Sequence, residues 1–193
     1  MKSLKSVCVY CSASDKVDPI FTKAAKKVGK LLAERNIKLI YGGNKSGLMG
    51  SLADSSLENG GYVMGYTTKK LSITDGAHES IQELHIVPDM SSRKKCMYNQ
   101  AEAFIVLPGG LGTLEELAEI ISWKQIRLHN KPIVLLNIDG YWNTLYSLFR
   151  NMVDKKFAPS SLWDMVAFVD DTDSIPEALI QQLSIELPSH KWG

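Results

Sequence analysis

Phe104-Ile105-Val106-Leu107-Pro108-Gly109-Gly110-Leu111-Gly112-Thr113-Leu114-Glu115-Glu116 passes, within thirteen residues, from an apolar run through a glycine turn to the start of a helical pattern. A short apolar run bounded by turn residues reads as a buried strand. Strand, tight turn and helix in that order form half of a crossover unit, and the order recurs along the chain. Strand-like runs fall at 7–11, 39–41, 62–66, 84–87, 104–107, 133–137 and 166–169, and helical patterns at 19–35, 47–59, 90–101, 113–129, 142–156 and 174–183. In the first helix Ile20, Ala24, Val28, Leu31 and Leu32 repeat at close to helical spacing behind Pro19, a residue suited to a first helical turn. This alternation predicts an α/β protein with a Rossmann-like, doubly wound, mostly parallel sheet covered by helices on both faces. In such sheets ligands bind beyond the carboxyl ends of the strands, which directs attention to the turns after Tyr41, Val87 and Leu107.

The chain has 193 residues, 45% of them hydrophobic and 22% charged, with a mean hydropathy of −0.08. That is enough apolar material for a real core, so global disorder is excluded, and with no repeat or linker in view residues 1–193 are expected to form one domain. With 22 Lys+Arg against 21 Asp+Glu the net charge is +1, which argues against nucleic acid or a membrane surface as a partner. The apolar start of the chain is interrupted by Ser12, Ser14 and Asp15 before it reaches signal-peptide length, and no run approaches the roughly 20 residues of a membrane helix. A cytoplasmic protein is expected. Its three cysteines, Cys8, Cys11 and Cys96, then read as free thiols. Cys8 and Cys11 stand three apart on a strand, where they point to opposite faces, so they do not form a redox pair. The scattered His78, His85, His129 and His190 offer no metal site.

Two glycine turns carry the functional signal. Tyr41-Gly42-Gly43-Asn44-Lys45-Ser46-Gly47-Leu48-Met49-Gly50 joins a strand to a helix but matches neither a Walker A loop nor G-x-G-x-x-G. In the turn at 108–112 the glycines expose successive N–H groups at a helix start, where an anion such as phosphate is favoured, and Thr113 adds a hydroxyl. A purely structural reading stands beside this one, because Thr113-x-x-Glu116 also spells a capping box. Met90-Ser91-Ser92-Arg93-Lys94-Lys95 places cations at a helix start, which the helix dipole disfavours, and an arginine there can grip a phosphate with two N–H groups. Met97 and Trp123 are candidates for a base pocket, although at helical positions core packing is the commoner role.

These residues together resemble the LOG (Lonely Guy) family of cytokinin riboside 5′-monophosphate phosphoribohydrolases. The signature P-G-G-x-G-T-x-x-E is complete as Pro108, Gly109, Gly110, Gly112, Thr113 and Glu116. Tyr41-Gly42-Gly43, Ser46 to Gly50, Met90-x-x-Arg93-Lys94, Trp123-x-Gln125 and Leu136-Asn137-x-Asp139-Gly140-Tyr141 are similar too. The resemblance implies a homodimer that hydrolyses the N-glycosidic bond of an adenosine 5′-monophosphate, N6-modified or plain, to free base and ribose 5-phosphate, with no cofactor and no metal. It implies Arg93 and Glu116 as the catalytic pair. Gly43, Met49, Lys94, Gly109, Gly110, Gly112 and Thr113, with Arg93 and Glu116 again, are implied as substrate- and phosphate-binding positions. The chain departs from the family pattern at Asn44, where a glycine is usual, at Ser91-Ser92, where His-Glu is usual, and at Glu102, where Asp is usual.

Three other functions compete. The same loops can bind AMP without cleaving it. A lysine decarboxylase needs a pyridoxal phosphate Schiff-base lysine, and no residue here marks one. A scaffold role leaves the glycines and charges at the strand ends without a purpose.

Overall fold

Alternate residues of the first strand belong to opposite sides of one sheet: Val7, Val9 and Cys11 pack into one apolar cluster, Cys8 and Tyr10 into another. Burial on both faces is what makes these runs continuously apolar instead of alternating. The computed structural model describes residues 4–187. The first half runs β1 (Ser6–Tyr10), α1 (Pro19–Glu34), β2 (Lys38–Tyr41), α2 (Gly47–Glu58), β3 (Val63–Thr68), a single turn α3 (Lys69–Leu71), a π-helical turn (Ser72–Gly76) and β4 (Glu83–Val87). The second half runs α4 (Met90–Gln100), β5 (Ala103–Val106), α5 (Leu111–Gln125), β6 (Ile133–Leu136), α6 (Asn143–Asp154), a short α7 (Leu162–Met165), β7 (Ala167–Val169) and α8 (Ile175–Ser184).

The seven strands lie in the order β4-β3-β2-β1-β5-β6-β7, and every pairing is parallel. The order reverses direction between β1 and β5, which makes that gap the topological switch point. Ala24, Ala25, Val28 and Leu32 of α1, Leu48, Leu52 and Ala53 of α2, and Ile175, Ala178 and Leu179 of α8 cover one face. Met97 of α4, Leu117, Ile120 and Ile121 of α5, Leu145 and Phe149 of α6, and Leu162 and Met165 of α7 cover the other. The doubly wound fold expected from the alternation is the one observed.

Helix starts follow their caps. Asp18 accepts a hydrogen bond from the Ile20 amide at 2.8 Å ahead of α1, and Asp89 accepts one from the Ser92 amide at 2.7 Å ahead of α4. The helix expected over 113–129 begins two residues earlier, at Leu111, and the strand expected over 62–66 runs on through Thr68. The elements that periodicity missed are short ones, α3, the π turn, α7 and a 3₁₀ turn at Ile138–Gly140. Among the described residues no helix is long and apolar enough to cross a membrane.

Candidate active site

Beyond the carboxyl ends of β1 to β5 lies a cavity of about 310 Å³. Each strand end contributes to it. Cys11, Ser12 and Ala13 follow β1, Gly42 and Asn44 follow β2, and Thr67 closes β3 with Leu71, Asp75 and Gly76 beyond it. Met49 comes from α2, Met90 and Arg93 from α4, and Gly110, Gly112, Thr113, Glu115 and Glu116 from the turn after β5 and the first half of α5. The loops after β2, β4 and β5 were legible as site-forming from sequence. The β1 turn and the stretch after β3 were not, because neither carries a glycine motif or a charge run.

A buried ion pair lies at the cavity wall. Arg93 Nη1 donates to Glu116 Oε1 at 3.0 Å, and the two side chains are only 5% and 6% exposed. The rest of the guanidinium is seated on backbone: Nε donates to the Tyr66 carbonyl at 2.8 Å and Nη2 to the Gly42 carbonyl at 3.4 Å. A Cβ on Gly42 would stand 2.2 Å from Arg93 Nη2, so a side chain at that position is incompatible with the seat. Three of the five guanidinium N–H groups are thereby engaged within the protein, which leaves two for a ligand. Burial pushes the Glu116 carboxyl up to about 7, against the opposing pull of the Arg93 charge. A carboxyl poised near neutrality inside a cleft fits a group that handles protons or a developing positive charge.

The capping box that Thr113 and Glu116 offered as the alternative reading is not formed. Gly110 is the N-cap of α5 and makes no side-chain cap. Thr113 therefore sits inside the first turn, 4% exposed, and Glu116 faces Arg93 instead of reaching back to a backbone amide. The glycines of the turn divide into two kinds. At Gly109 a Cβ would fall 2.1 Å from Thr113 Oγ1, so the fold itself excludes a side chain there. At Gly110 and Gly112 a Cβ would meet nothing within 4 Å. Their bareness is not required by the protein's own packing and keeps the cavity side of the helix start open. Tyr141 steadies the turn by donating its hydroxyl hydrogen to the Gly109 carbonyl at 2.6 Å.

Several expected positions stand back from the cavity. Lys94, expected among the binding positions, does not line it; its ammonium is held by the carboxylates of Glu115 and, at 3.0 Å, Glu119. Gly43 has φ 75 and lies against Thr67 and Leu84, so it shapes the turn from beneath. Gly109 likewise acts from behind. Met97 is fully buried in the core, and Trp123 packs edge-on against Tyr98, so neither forms a base pocket. Cys8 and Cys11 occupy opposite faces of the sheet and burial raises both thiols. Of the departures from the family pattern, Asn44 turns its Oδ1 to accept from the Ser46 amide at 2.7 Å while lining the cavity, and Glu102 accepts from the Lys5 amide at 2.6 Å, far from it. His190 lies outside the described residues.

A parallel doubly wound sheet with a glycine turn and a buried ion pair at its switch point defines an α/β protein built to hold a small anionic ligand. A family model described as "possible lysine decarboxylase" matches residues 49–179. A probable cytokinin riboside 5′-monophosphate phosphoribohydrolase of Oryza sativa subsp. japonica is 40% identical over 172 residues, 89% of this chain and 75% of the relative. A cytokinin riboside 5′-monophosphate phosphoribohydrolase of Arabidopsis thaliana is 44% identical over 153 residues, 79% of this chain and 70% of the relative. The chain belongs to this family, the LOG family. Among solved structures, the molybdenum cofactor binding protein of Rippkaea orientalis superposes with a TM-score of 0.72 at 19% identity, covering 95% of this chain and all of that one. The molybdenum cofactor carrier protein of Chlamydomonas reinhardtii gives 0.70 at 20% identity, covering 93% and 98%. At that identity the likeness is one of fold.

Proposed function

We propose that the chain is a nucleoside 5′-monophosphate phosphoribohydrolase that cleaves the N-glycosidic bond of adenosine 5′-monophosphates, N6-modified or plain. Water adds to C1′, the C1′–N9 bond breaks with its electron pair going to the purine, the purine takes up a proton, and ribose 5-phosphate remains. The reaction balances with water alone. The observation that carries the reading is the meeting, in one cavity, of the buried Arg93–Glu116 pair with a helix start left bare at Gly110 and Gly112.

The helix start and the Thr113 hydroxyl hold the 5′-phosphate. Glu116, as carboxylate, stands beside the ribose where positive charge develops on C1′, or orients the attacking water. Arg93 fixes that carboxylate and turns its two remaining N–H groups toward the substrate. Phosphate binding remote from the reacting bond holds the ribose in its reactive geometry, so a nucleoside without phosphate is a far poorer substrate. A decarboxylase working through a Schiff base is disfavoured because no lysine lines the cavity among the described residues. The activity named for the relatives supports the hydrolase.

Residues 1–193 act as one domain, in the cytoplasm, and as a homodimer. Support for the dimer is the outward apolar surface beside the site, where Leu111 is 84% and Phe157 81% exposed. Chromatographic measurement of free base after incubation with AMP and with isopentenyladenosine monophosphate tests the activity. Base release lost by a hundredfold or more in Glu116→Gln supports it. Nucleotide binding without base release from either substrate leaves a nucleotide-binding protein instead.

A further inference from the structure

The stretch between β3 and β4 forms the cavity wall on the side of the sheet away from the glycine turn of β5, and little apolar packing holds it. Leu71, Asp75 and Gly76 line the cavity, yet between residues 69 and 80 only His78 is buried. The stretch includes a π-helical turn, a rare conformation that recurs at functional sites, and Gly76 at φ 82. Polar bonds to neighbouring elements fasten it. The His78 amide donates to the Gly43 carbonyl at 2.9 Å and the Lys45 amide to the Gly76 carbonyl at 3.3 Å, framing an antiparallel bridge between Asn44 and Ala77. The side-chain fastener is His78 itself: its Nε2 lies 2.9 Å from Asp54 Oδ1, with the imidazole 8% and the carboxylate 56% exposed.

We propose that Asp54 and His78 form a clasp that holds residues 69–78 in place as the wall facing the purine, so that both are positioning residues for the base half of the substrate. The inference rests on the reading that the phosphate sits at Gly110, Gly112 and Thr113. In the sheet order, β5 and β3 are three strand spacings apart, roughly 14 Å. A nucleotide with its phosphate over β5 and its ribose beside Glu116 extends its base toward the β3 side, where the clasped stretch stands. The catalytic pair does not depend on that stretch: Arg93 is seated on Gly42, Tyr66 and Glu116, none of which lies in it. Loosening the clasp therefore weakens recognition of the base while leaving the bond-breaking step in place. Asp54 on α2 couples this wall to the helix that also carries Met49 into the cavity.

The test compares wild type with Asp54→Ala, a change at a half-exposed helix surface that leaves the core intact, and with His78→Ala and His78→Gln. Expected for Asp54→Ala and His78→Ala is a rise of about tenfold in the KM for AMP, the scale of one lost hydrogen bond to a charged group. The kcat stays within about twofold, and so does inhibition by ribose 5-phosphate, which has no base to contact the wall. Amide hydrogen exchange should quicken at residues 43–45 and 69–78, and His78→Gln, which keeps an N–H where Nε2 stands, should recover most of the loss. An unchanged KM overturns the proposal. So does a parallel weakening of AMP and ribose 5-phosphate, or a glutamine variant no better than alanine. If wild type releases no base, the hydrolase reading fails separately, and the same comparison of AMP with ribose 5-phosphate by calorimetric Kd still decides the clasp.

Discussion

Glu116 is held by one arginine and little else, and its chemistry follows from that enclosure. Burial raises its carboxyl to about 7 from an ordinary 4.5. If the carboxylate is the working form, kcat/KM climbs as pH rises through about 7, far above the usual carboxylate range, and a pH-rate profile reads that limb directly. Stability runs the other way. A carboxyl whose folded value is raised favours the folded state below its unfolded value, and that contribution is lost as pH rises through about 7. The melting temperature of wild type relative to Glu116→Gln is thus expected to fall between pH 4.5 and 8, and to level off outside that window. Gly112 gives a second opposition. With open space around it and a helical position, Gly112→Ala should stabilise α5 by about 0.5 kcal/mol. The same methyl would project where a phosphate is proposed to sit, so thermal unfolding should shift upward while the KM for AMP rises at least tenfold. Arg93 and Glu116 were both singled out in the sequence, through the family motifs that contain them. That they face each other was not, because the contact joins two helices and depends on how α4 and α5 lean on the sheet. Local spacing offered Glu116 a capping role only as the alternative beside ligand binding.

At the scale of elements, α5 carries a second buried charge that no motif announces. Lys124 is fully buried, its ammonium donates to Gln182 Oε1 of α8 at 3.0 Å, and burial lowers it to about 8. Because this folded value lies below that of a free lysine, the unfolded chain holds the extra proton from about pH 8 upward, and folding stability gains with pH across that range. Melting curves at pH 7 and pH 10 should show wild type gaining on Lys124→Met as the pH rises; parallel curves would mean the ammonium is better solvated than its burial indicates. The long helices were readable because each repeats its apolar spacing for long enough to be seen, and the seven strands because each is a short apolar run between turns. The stretch 69–78 has no such period, and its form is set by partners at Gly43, Lys45 and Asp54. It is for that reason the part of the cavity that sequence did not reveal.

For the whole molecule, a sheet buried on both faces decides what solvent reaches. Cys8 and Cys11 are buried and Cys96 is half-buried, so a thiol reagent should label at most one cysteine in the native protein and all three after denaturation. More than one fast-reacting thiol would contradict the packing around β1. The architecture also divides the labour between the two sides of the switch point. Every residue that lines the cavity lies between Cys11 and Glu116, while β6, α6, α7, β7 and α8 follow in sequence and extend the sheet beyond β5. That later third supplies the volume against which α5 and the centre of the sheet are pressed. Apart from Tyr141, whose hydroxyl holds the Gly109 carbonyl, its natural variation should be constrained by size and shape more than by chemical type. A peptide insertion at the exposed Asp173, in the turn between β7 and α8, is accordingly expected to lower the melting temperature while leaving the KM for AMP within about twofold. Away from Tyr141 and the apolar surface around Phe157, the C-terminal third is where such a protein can be lengthened or fused without disturbing what it binds.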